Sequence, residues 1–243
     1  MCAGTSQQSA PGPRPAAWPI GPHEPSIRER DLHVWRADLE HVGEDLSALL
    51  NNEERERGER IASDEARVYW MRSRGVLRAL LGRYLRRDPR TLAFDRGPYG
   101  KPALSVAEES RGLSFSLSHS EQFALYAFTT SGSVGVDAEV TMHARTTGRG
   151  RHERDHVALA RRIFGEQQAQ RLAALAPDDR ELEFLRLWTS YEAELKRRGR
   201  GIAAGTIEPM PAPWIAELDV GPSAAAAVAC EITPRELRRW RWR

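Results

Sequence analysis

The sequence predicts an α+β protein built as two similar α/β halves in a pseudo-two-fold arrangement. Segments with helical spacing and segments with the two-residue period of strands occur in both halves, in a similar order. They lack the regular alternation that a parallel α/β sheet requires. The chain has 243 residues, which is enough to bury a core without disulfides or a structural metal. The sequence itself shows no repeat strong enough to prove internal duplication.

Composition excludes several classes of protein. The formal charge is only +2, but both signs are abundant and the basic residues are clustered, so local basic patches matter more than net charge. Cys2 and Cys230 give no disulfide framework or zinc spacing, which favours a cytoplasmic protein. No stretch reaches the ~20 apolar residues of a membrane span, and the N-terminus lacks a secretory signal pattern. Residues 1–29 are rich in proline and predict a disordered tail.

The first half is predicted at residues 30–132. Its expected elements are a strand at 31–39, a helix from Asn51 or Asn52 to about 61, a helix from Ser63 to Asp88, a short strand at 91–94, and two strands between 113 and 128. The clearest strand signal is the alternation of Leu113, Phe115 and Leu117 with serines, which is typical of a half-buried strand. Ser118-His119-Ser120 lies on the connection between the last two strands.

The second half is predicted at residues 133–243. Its expected elements are a strand at 134–140, a long basic loop at 141–153, helices at 155–164, 166–175 and 180–198, and strands at 214–220 and 225–232. Gly199-Arg200-Gly201 is a plausible end for the last helix, because glycine readily adopts the left-handed conformation found there.

Four short segments contain residue types that can perform chemistry. Asp137 and Glu139 lie two apart on a strand, so their carboxylates share one face and can hold a hard cation such as Mg²⁺. Glu192 and Lys196 lie one turn apart on a helix, where they can act on a proton and on phosphate charge. Both pairs also have a purely structural interpretation. The strand pair can be a solvated strand face, and the helix pair can be an ordinary surface ion pair. Likewise, Ser118-His119-Ser120 and Gly100-Lys101-Pro102 can be ordinary turns.

The joint occurrence of these segments resembles the Sfp-type 4′-phosphopantetheinyl transferases. That family has the same four elements in the same order, and the similarity extends over about residues 46–202. The matching segments are Gly100-Lys101-Pro102, Ser116 to Ser120, Gly135-Val136-Asp137-Ala138-Glu139, and Trp188 to Lys196 followed by Gly199-Arg200-Gly201.

The resemblance implies transfer of the 4′-phosphopantetheine group from coenzyme A to a serine of an acyl or peptidyl carrier protein, with release of 3′,5′-ADP. Such carriers serve fatty acid, polyketide or nonribosomal peptide synthesis, and the expected cofactor is Mg²⁺, or Mn²⁺ in its place. The first half would bind coenzyme A and the second half would hold the metal and the catalytic helix, with the active site at their interface. The basic residues from Arg145 to Arg154 would attract acidic helices of the carrier.

Carried over residue by residue, the resemblance assigns three metal ligands, Asp137, Glu139 and Glu192. Glu192 is also the expected base for the incoming serine. Lys196 is expected to stabilise the pyrophosphate or to protonate the leaving phosphate. The residues assigned to coenzyme A binding are Arg57, Arg74, Lys101, Pro102, Ser118, His119 and Lys196.

Three positions depart from the family pattern. Tyr191 stands where the family usually has lysine, so coenzyme affinity is expected to be weaker or to be supplied by Arg197 or Arg198. Ala138 replaces the usual aliphatic residue between the two strand ligands, which should affect packing more than ligation. Ser116 stands where asparagine is common, so a hydrogen bond that supports the loop is expected to differ.

Two competing interpretations remain. The short holo-acyl-carrier-protein synthases perform the same reaction between subunits about half this length, so the length of this chain favours a monomer. A non-enzymatic protein could bind nucleic acid through the terminal arginines and tryptophans at 238–243, but this does not explain the carboxylates at 137 and 139. We favour a solvated end whose tryptophans pack on the second half, with neither nucleic acid nor membrane as partner.

Overall fold

The structure, a computed structural model, describes residues 18–97, 100–105, 112–142, 155–199 and 213–243. The helices are α1 Asn52–Glu59, α2 Asp64–Leu85, α3 His156–Phe164, α4 Glu166–Ala173 and α5 Pro177–Arg197, with 3₁₀ turns at Glu44–Leu49 and Pro89–Thr91. The strands are β1 Asp31–Asp38, β2 Phe94–Arg96, β3 Pro102–Leu104, β4 Ser114–Ser120, β5 Phe123–Thr129, β6 Val134–Val140, β7 Trp214–Glu217, β8 Ala224–Cys230 and β9 Glu236–Arg241. Most of the predicted basic loop, Arg200-Gly201 and residues 1–17 lie outside the described residues.

Side-chain caps determine where the first two helices begin. Asn51 accepts the backbone N–H of Glu54 at 2.9 Å, and the Glu54 carboxylate accepts the N–H of Asn51 at 3.1 Å. This reciprocal pair satisfies two N–H groups that the helix leaves free. The Ser63 hydroxyl caps α2 by accepting the backbone N–H of Ala66, so both predicted starts are confirmed. α2 ends at Leu85, before the predicted stop at Asp88, because Arg86 adopts a left-handed conformation with φ of 54°.

The strands form two main sheets. The larger sheet has the order β4-β5-β1-β9, in which β9 runs parallel to β1 and the other neighbours are antiparallel. The smaller sheet has the order β6-β8-β7 and is antiparallel throughout. β2 and β3 form a separate two-stranded ribbon, where the sequence predicted a single strand at 91–94.

Four layers are stacked in the order α2, larger sheet, smaller sheet, α5. The core between α2 and the larger sheet includes the buried side chains of Trp35, Leu77, Leu80, Tyr126 and Phe128. The two sheets share a second core that includes Leu32, Leu125, Val136 and Val228. On the far side, Ala193 of α5 packs against Ala227 and Ala229 of β8. Each half is therefore a helix on a sheet, which confirms the predicted α+β class.

The C-terminal strand returns to the first half. β9 pairs with β1, and the Trp240 ring lies 4.9 Å from the Trp35 ring. Arg83 of α2 stacks over Trp242 at 4.1 Å. The prediction that these tryptophans pack on the second half is therefore wrong, because β1 offers a free edge and an apolar surface that local sequence does not reveal. Their ring faces also meet protein atoms, which weakens the nucleic-acid alternative.

A short N-terminal segment follows the edge of β9. Ile20 forms a parallel bridge with Arg241, and the N–H of Arg241 donates to Pro19 O at 2.7 Å. Trp18 Nε1 donates to Asp219 O at 2.7 Å. Residues 18–21 thus differ from the disordered tail that was predicted as far as residue 29. No helix among the described residues is long and apolar enough to cross a membrane.

Candidate functional site

A cleft between the two halves is lined by side chains from both sheets and both long helices. One cavity of about 460 Å³ is bordered by Arg74 of α2, Ser118 and His119 of β4, Asp137 and Glu139 of β6, and Glu192 and Lys196 of α5. A second cavity of about 220 Å³ shares Arg74 and Lys196 with the first and adds Lys101 and Pro102. All the predicted site residues except Arg57 therefore line these two adjoining cavities.

Small residues let α5 approach β6 closely. A Cβ atom on Gly135 would lie 1.9 Å from Ala193 O and 2.4 Å from Arg197 N, so no side chain fits at this position. This contact explains the glycine that precedes Asp137, which sequence reasoning treated only as part of a motif. As a result, Lys196 on α5 reaches Asp137 on β6.

Asp137 is the most constrained acidic group of the cleft. Its Oδ1 accepts hydrogen bonds from Lys196 Nζ at 2.6 Å and from Ser118 Oγ at 2.9 Å. Its Oδ2 is buried and has no hydrogen-bond partner among the described residues. A buried carboxylate oxygen without a donor is costly, so this atom marks a position where a cation would be stabilising.

The other two predicted metal ligands flank Asp137. Glu139 lies on the same face of β6 and accepts a long hydrogen bond of 3.4 Å from Ser120 Oγ. Burial and the nearby Asp137 carboxylate raise the pKa of Glu192, and Lys196 partly opposes that shift. The ligand oxygens of these three carboxylates do not all lie within 4.8 Å of one another. Among the described residues, the three ligand atoms that do lie within 4.8 Å of one another belong to the exposed side chains of Asp38, Glu40 and His41.

The residue types in the cleft fit a magnesium ion. Carboxylate oxygens are its preferred protein ligands, and one or two of them together with water and substrate phosphate commonly complete the coordination. Asp137 and Glu139 provide two such groups on adjacent same-face positions, and Glu192 faces them from α5. The buried Asp137 Oδ2 without a donor agrees with this donor set.

Serine hydroxyls join the two sheets beside the acidic groups. Ser116 Oγ accepts the N–H of Val136 at 3.1 Å, and Ser120 Oγ accepts the N–H of Val140 at 3.2 Å. Together with the contact of Ser118 to Asp137, they tie alternate residues of β4 to β6. Ser116, one of the departures from the family pattern, therefore bonds to the backbone of β6, the strand of Asp137 and Glu139.

The positive groups of the cleft are Arg74, Lys101 and Lys196, which line the second cavity. Lys101 Nζ donates to Val134 O at 2.8 Å, which ties the segment before β3 to the start of β6. Burial, reinforced by the positive charges of Arg197 and Lys196, lowers the pKa of Lys101 to about 8. Of the 36 lysine and arginine residues in the chain, only Lys101 and Lys196 are lysines. Both line the second cavity.

His119 lies at the end of β4, next to Ser118. Desolvation of its ring, together with the charges of Arg74 and Lys196, lowers the pKa of His119. A neutral imidazole can accept or donate one hydrogen bond at each nitrogen. It is therefore suited to contact a phosphate oxygen without adding charge.

The two predicted arginines of the coenzyme end are linked by one aromatic ring. Arg74 stacks over Trp70 at 5.3 Å and Arg57 approaches the same ring at 6.0 Å. Trp70 and Arg74 line a small recess together with Asn51 and Phe94. Trp70 was not among the predicted site residues; its position one turn before Arg74 on α2 was the available signal.

Tyr191 and the two arginines expected to replace the usual lysine all contact other protein side chains. Tyr191 packs its ring edge-on against Phe164 at 5.8 Å, so it belongs to the α3–α5 contact. Arg197 and Arg198, expected as substitutes for the usual lysine, both bind the Glu194 carboxylate, and Arg197 is almost fully buried. Their charge is thus largely used within the protein, and Arg74 is the arginine that borders both cavities.

The fold and cleft together define an α+β enzyme with carboxylates and lysines facing each other between two halves. Residues 133–241 match a family model described as the 4′-phosphopantetheinyl transferase superfamily. The chain is 34% identical over 189 residues to the 4′-phosphopantetheinyl transferase HetI of Nostoc sp., covering 76% of each chain. It is 36% identical over 164 residues to the slr0495 protein of Synechocystis sp., covering 68% of this chain and 63% of that protein.

A more distant relative is the 4′-phosphopantetheinyl transferase Sfp of Bacillus subtilis. The two are 24% identical over 172 residues, which cover 71% of this chain and 70% of Sfp. The chain therefore belongs to the 4′-phosphopantetheinyl transferase superfamily and is a phosphopantetheinyl transferase. The resemblance found in the sequence is confirmed.

Proposed function

We propose that this enzyme transfers the 4′-phosphopantetheine group from coenzyme A to a serine of acyl or peptidyl carrier proteins in a Mg²⁺-dependent reaction, releasing 3′,5′-ADP. The apo carriers so activated would serve fatty acid, polyketide or nonribosomal peptide synthesis. The observation that carries this proposal is the division of the carboxylates from one of the two cavities. Asp137, Glu139 and Glu192 border only the larger cavity, whereas Lys101 borders only the smaller one and Arg74 and Lys196 border both.

This division suits a pyrophosphate that must be held beside a metal ion. In the part of the chain that the structure describes, the smaller cavity is lined by three cationic side chains and by no carboxylate, which favours an anionic ligand. The magnesium ion, held by Asp137, Glu139 and Glu192, would neutralise charge on that pyrophosphate as the bond to phosphorus is broken. Arg74 and Lys196 border both cavities, so they would contact a ligand that spans them.

Glu192 is the proposed base for the carrier serine. Its raised pKa, caused by burial and by Asp137, makes its carboxylate a better proton acceptor than an exposed glutamate. Lys196 would stabilise the pyrophosphate oxygens or donate a proton to the leaving phosphate. Ser118, His119, Lys101 and Pro102 would hold the phosphates of the coenzyme, and Arg57 and Arg74 would bind its 3′-phosphate and adenine end.

The enzyme is proposed to act as a cytoplasmic monomer. Both halves of the cleft come from one chain, so a second subunit is not needed to complete it. Carrier proteins are proposed to approach beside the second half, where residues Arg145 to Arg154 would attract acidic helices. That basic segment falls in 143–154, outside the described residues.

The decisive experiment is mass spectrometry of an apo carrier protein incubated with the enzyme, coenzyme A and Mg²⁺. A gain of one phosphopantetheine group is expected. It should be lost with Asp137→Ala and Glu192→Ala and in the presence of a chelator, whereas Glu166→Ala, at an exposed position of α4, should retain it. Absence of any mass gain across acyl and peptidyl carriers would refute the proposal.

A further inference from the structure

In this structure the Lys196 ammonium already occupies the carboxylate that is proposed to bind the metal. Lys196 Nζ lies 2.6 Å from Asp137 Oδ1 and 3.0 Å from Ser118 Oγ, and Ser118 Oγ also donates to that same oxygen. Oδ1 therefore has both of its acceptor positions filled. A positive charge is the natural partner of a buried carboxylate, and here it is supplied from within the chain.

A divalent cation cannot use Asp137 without disturbing this contact. Oδ1 is filled by Lys196 and Ser118, and Oδ2 is closed off from solvent. The carboxylate must either release Lys196 or turn about its Cβ–Cγ bond to present Oδ2. In both cases the Lys196 ammonium and the cation lie close to the same Asp137 carboxylate and repel each other. That repulsion is strong where solvent is partly excluded.

The chemistry of lysine suits an exchange of partners. Its ammonium is a compact charge with three donors on a flexible stem, whereas a guanidinium binds a carboxylate with a rigid fork. The arginines at the end of α5 illustrate the second behaviour, since Arg197 holds Glu194 through two hydrogen bonds. Lys196 is about one-third exposed and also borders the cation-lined cavity, so phosphate oxygens there lie within its range.

We propose that Lys196 competes with the divalent cation for Asp137 in the coenzyme-free enzyme, and that coenzyme A relieves this competition by drawing the Lys196 ammonium onto its phosphates. Metal and coenzyme then bind with positive coupling, and by linkage each tightens the other to the same extent. The inference rests on the proposed metal site at Asp137. It assigns Lys196 a role in ordering ligand binding, in addition to its proposed contact with phosphate.

The test is the Mn²⁺ dissociation constant, measured by electron paramagnetic resonance with Mn²⁺ as the probe and without coenzyme A. Lys196→Met is expected to bind Mn²⁺ about tenfold more tightly than the unmodified enzyme, since tenfold corresponds to roughly 1.4 kcal/mol, the scale of a partly exposed charge contact. Lys101→Met is the matched control: it removes the other lysine of the cleft, which contacts Val134 O and not Asp137. It should change Mn²⁺ affinity much less.

Adding coenzyme A supplies the second readout. In the unmodified enzyme it should tighten Mn²⁺ binding, and in Lys196→Met this gain should shrink. Equal or weaker Mn²⁺ binding by both Lys196→Met and Lys196→Gln, with unchanged melting curves in the absence of metal, would overturn the inference. Retention of full Mn²⁺ affinity in Asp137→Asn would instead refute the metal site of the proposed function, and the inference with it.

A measurement on the unsubstituted chain covers the case in which both Lys196 variants fail to fold. Reductive methylation with ¹³C labels only Lys101, Lys196 and the terminal amine, because the chain has no other lysine. Addition of Mg²⁺ is expected to shift the Lys196 methyl signal more than the Lys101 signal. A Lys196 signal that stays in place while Mg²⁺ binds would contradict the inference.

Discussion

The two helices that cover the sheets pack against side chains of very different size. α2 lies on Tyr126 and Phe128 through Leu77 and Leu80. α5 lies on Ala227 and Ala229. The first interface buries large apolar groups, which are the main source of stability. The second brings two backbones together, which places Lys196 and Glu192 beside the strand carboxylates. Large side chains in the first half thus stabilise the fold, and small side chains in the second half allow the close helix–strand contact that forms the site.

The largest effect is expected from Gly135→Ala, which attacks the small interface directly. The new methyl group would meet Ala193 O and force α5 away from β6. A displacement near 1 Å can reduce turnover about 100-fold, and overpacking costs about 1–3 kcal/mol. The measurements are kcat with a carrier protein and urea denaturation.

The matched control for that substitution is Gly75→Ala in the first half. Its added Cβ would lie 2.4 Å from Leu46 O, so it also displaces backbone, but at the contact of α2 with the 3₁₀ turn Glu44–Leu49 and not at the contact of α5 with β6. It should lose a similar amount of stability and retain kcat close to that of the unmodified enzyme. Equal losses of kcat in the two variants would show that the contrast between the interfaces does not control the site.

Leu80→Ala tests the large interface. Leu80 is fully buried between α2 and the larger sheet, and such truncations cost about 2–5 kcal/mol through lost contacts and the cavity left behind. Urea denaturation should show that loss, while kcat per folded molecule should stay near its original value. A large fall in kcat at low temperature would mean that the first-half core also fixes the catalytic geometry.

A buried histidine in the first half should make stability depend on pH. Trp35 Nε1 donates to Tyr84 Oη at 2.9 Å, and that hydroxyl shares a hydrogen bond of 2.8 Å with His33 Nδ1. His33 Nε2 is buried and has no hydrogen-bond partner among the described residues. Asp31, Glu236 and Arg238 are the charged groups that act on this ring. Burial, the largest cause, lowers the pKa of His33 from 6.5 to about 4.

Because the folded pKa lies below the unfolded value, the unfolded chain binds the proton more readily. Stability is therefore complete above about pH 6.5 and falls as the pH drops towards 4, by up to about 3 kcal/mol for this group. Chemical denaturation across that range is the measurement. His33→Gln should flatten the slope; an unchanged slope would assign the pH dependence to other groups, His119 first among them.

The smallest effect is expected at Tyr191 in the second half. Tyr191→Lys restores the residue usual in the family but removes the ring pair with Phe164, worth about 0.5–1.5 kcal/mol. Tyr191→Phe keeps the ring pair and should match the unmodified enzyme. Thermal unfolding of the two variants separates them, and equal stability would show that the α3–α5 contact does not depend on this ring.

Local signals made much of the fold predictable. The cap at Asn51, the serine alternation before His119 and the same-face placement of Asp137 and Glu139 all follow from one stretch of chain at a time. The destination of β9 does not, because nothing in residues 236–241 specifies β1 as the partner strand. The pairing of Lys196 with Asp137 also depends on how closely α5 approaches β6, which Gly135 controls from 61 positions earlier in the chain.

The return of β9 to the first half has a consequence for folding during synthesis. The larger sheet gains its fourth strand only after β9, which ends at Arg241 and follows the whole smaller sheet in the chain, has left the ribosome. Until then β1 presents an open edge, and strand edges of this kind pair readily with other chains. Contacts between residues about 200 positions apart also slow folding. The first half is thus synthesised early, but its sheet is completed only after the strands of the smaller sheet have been made.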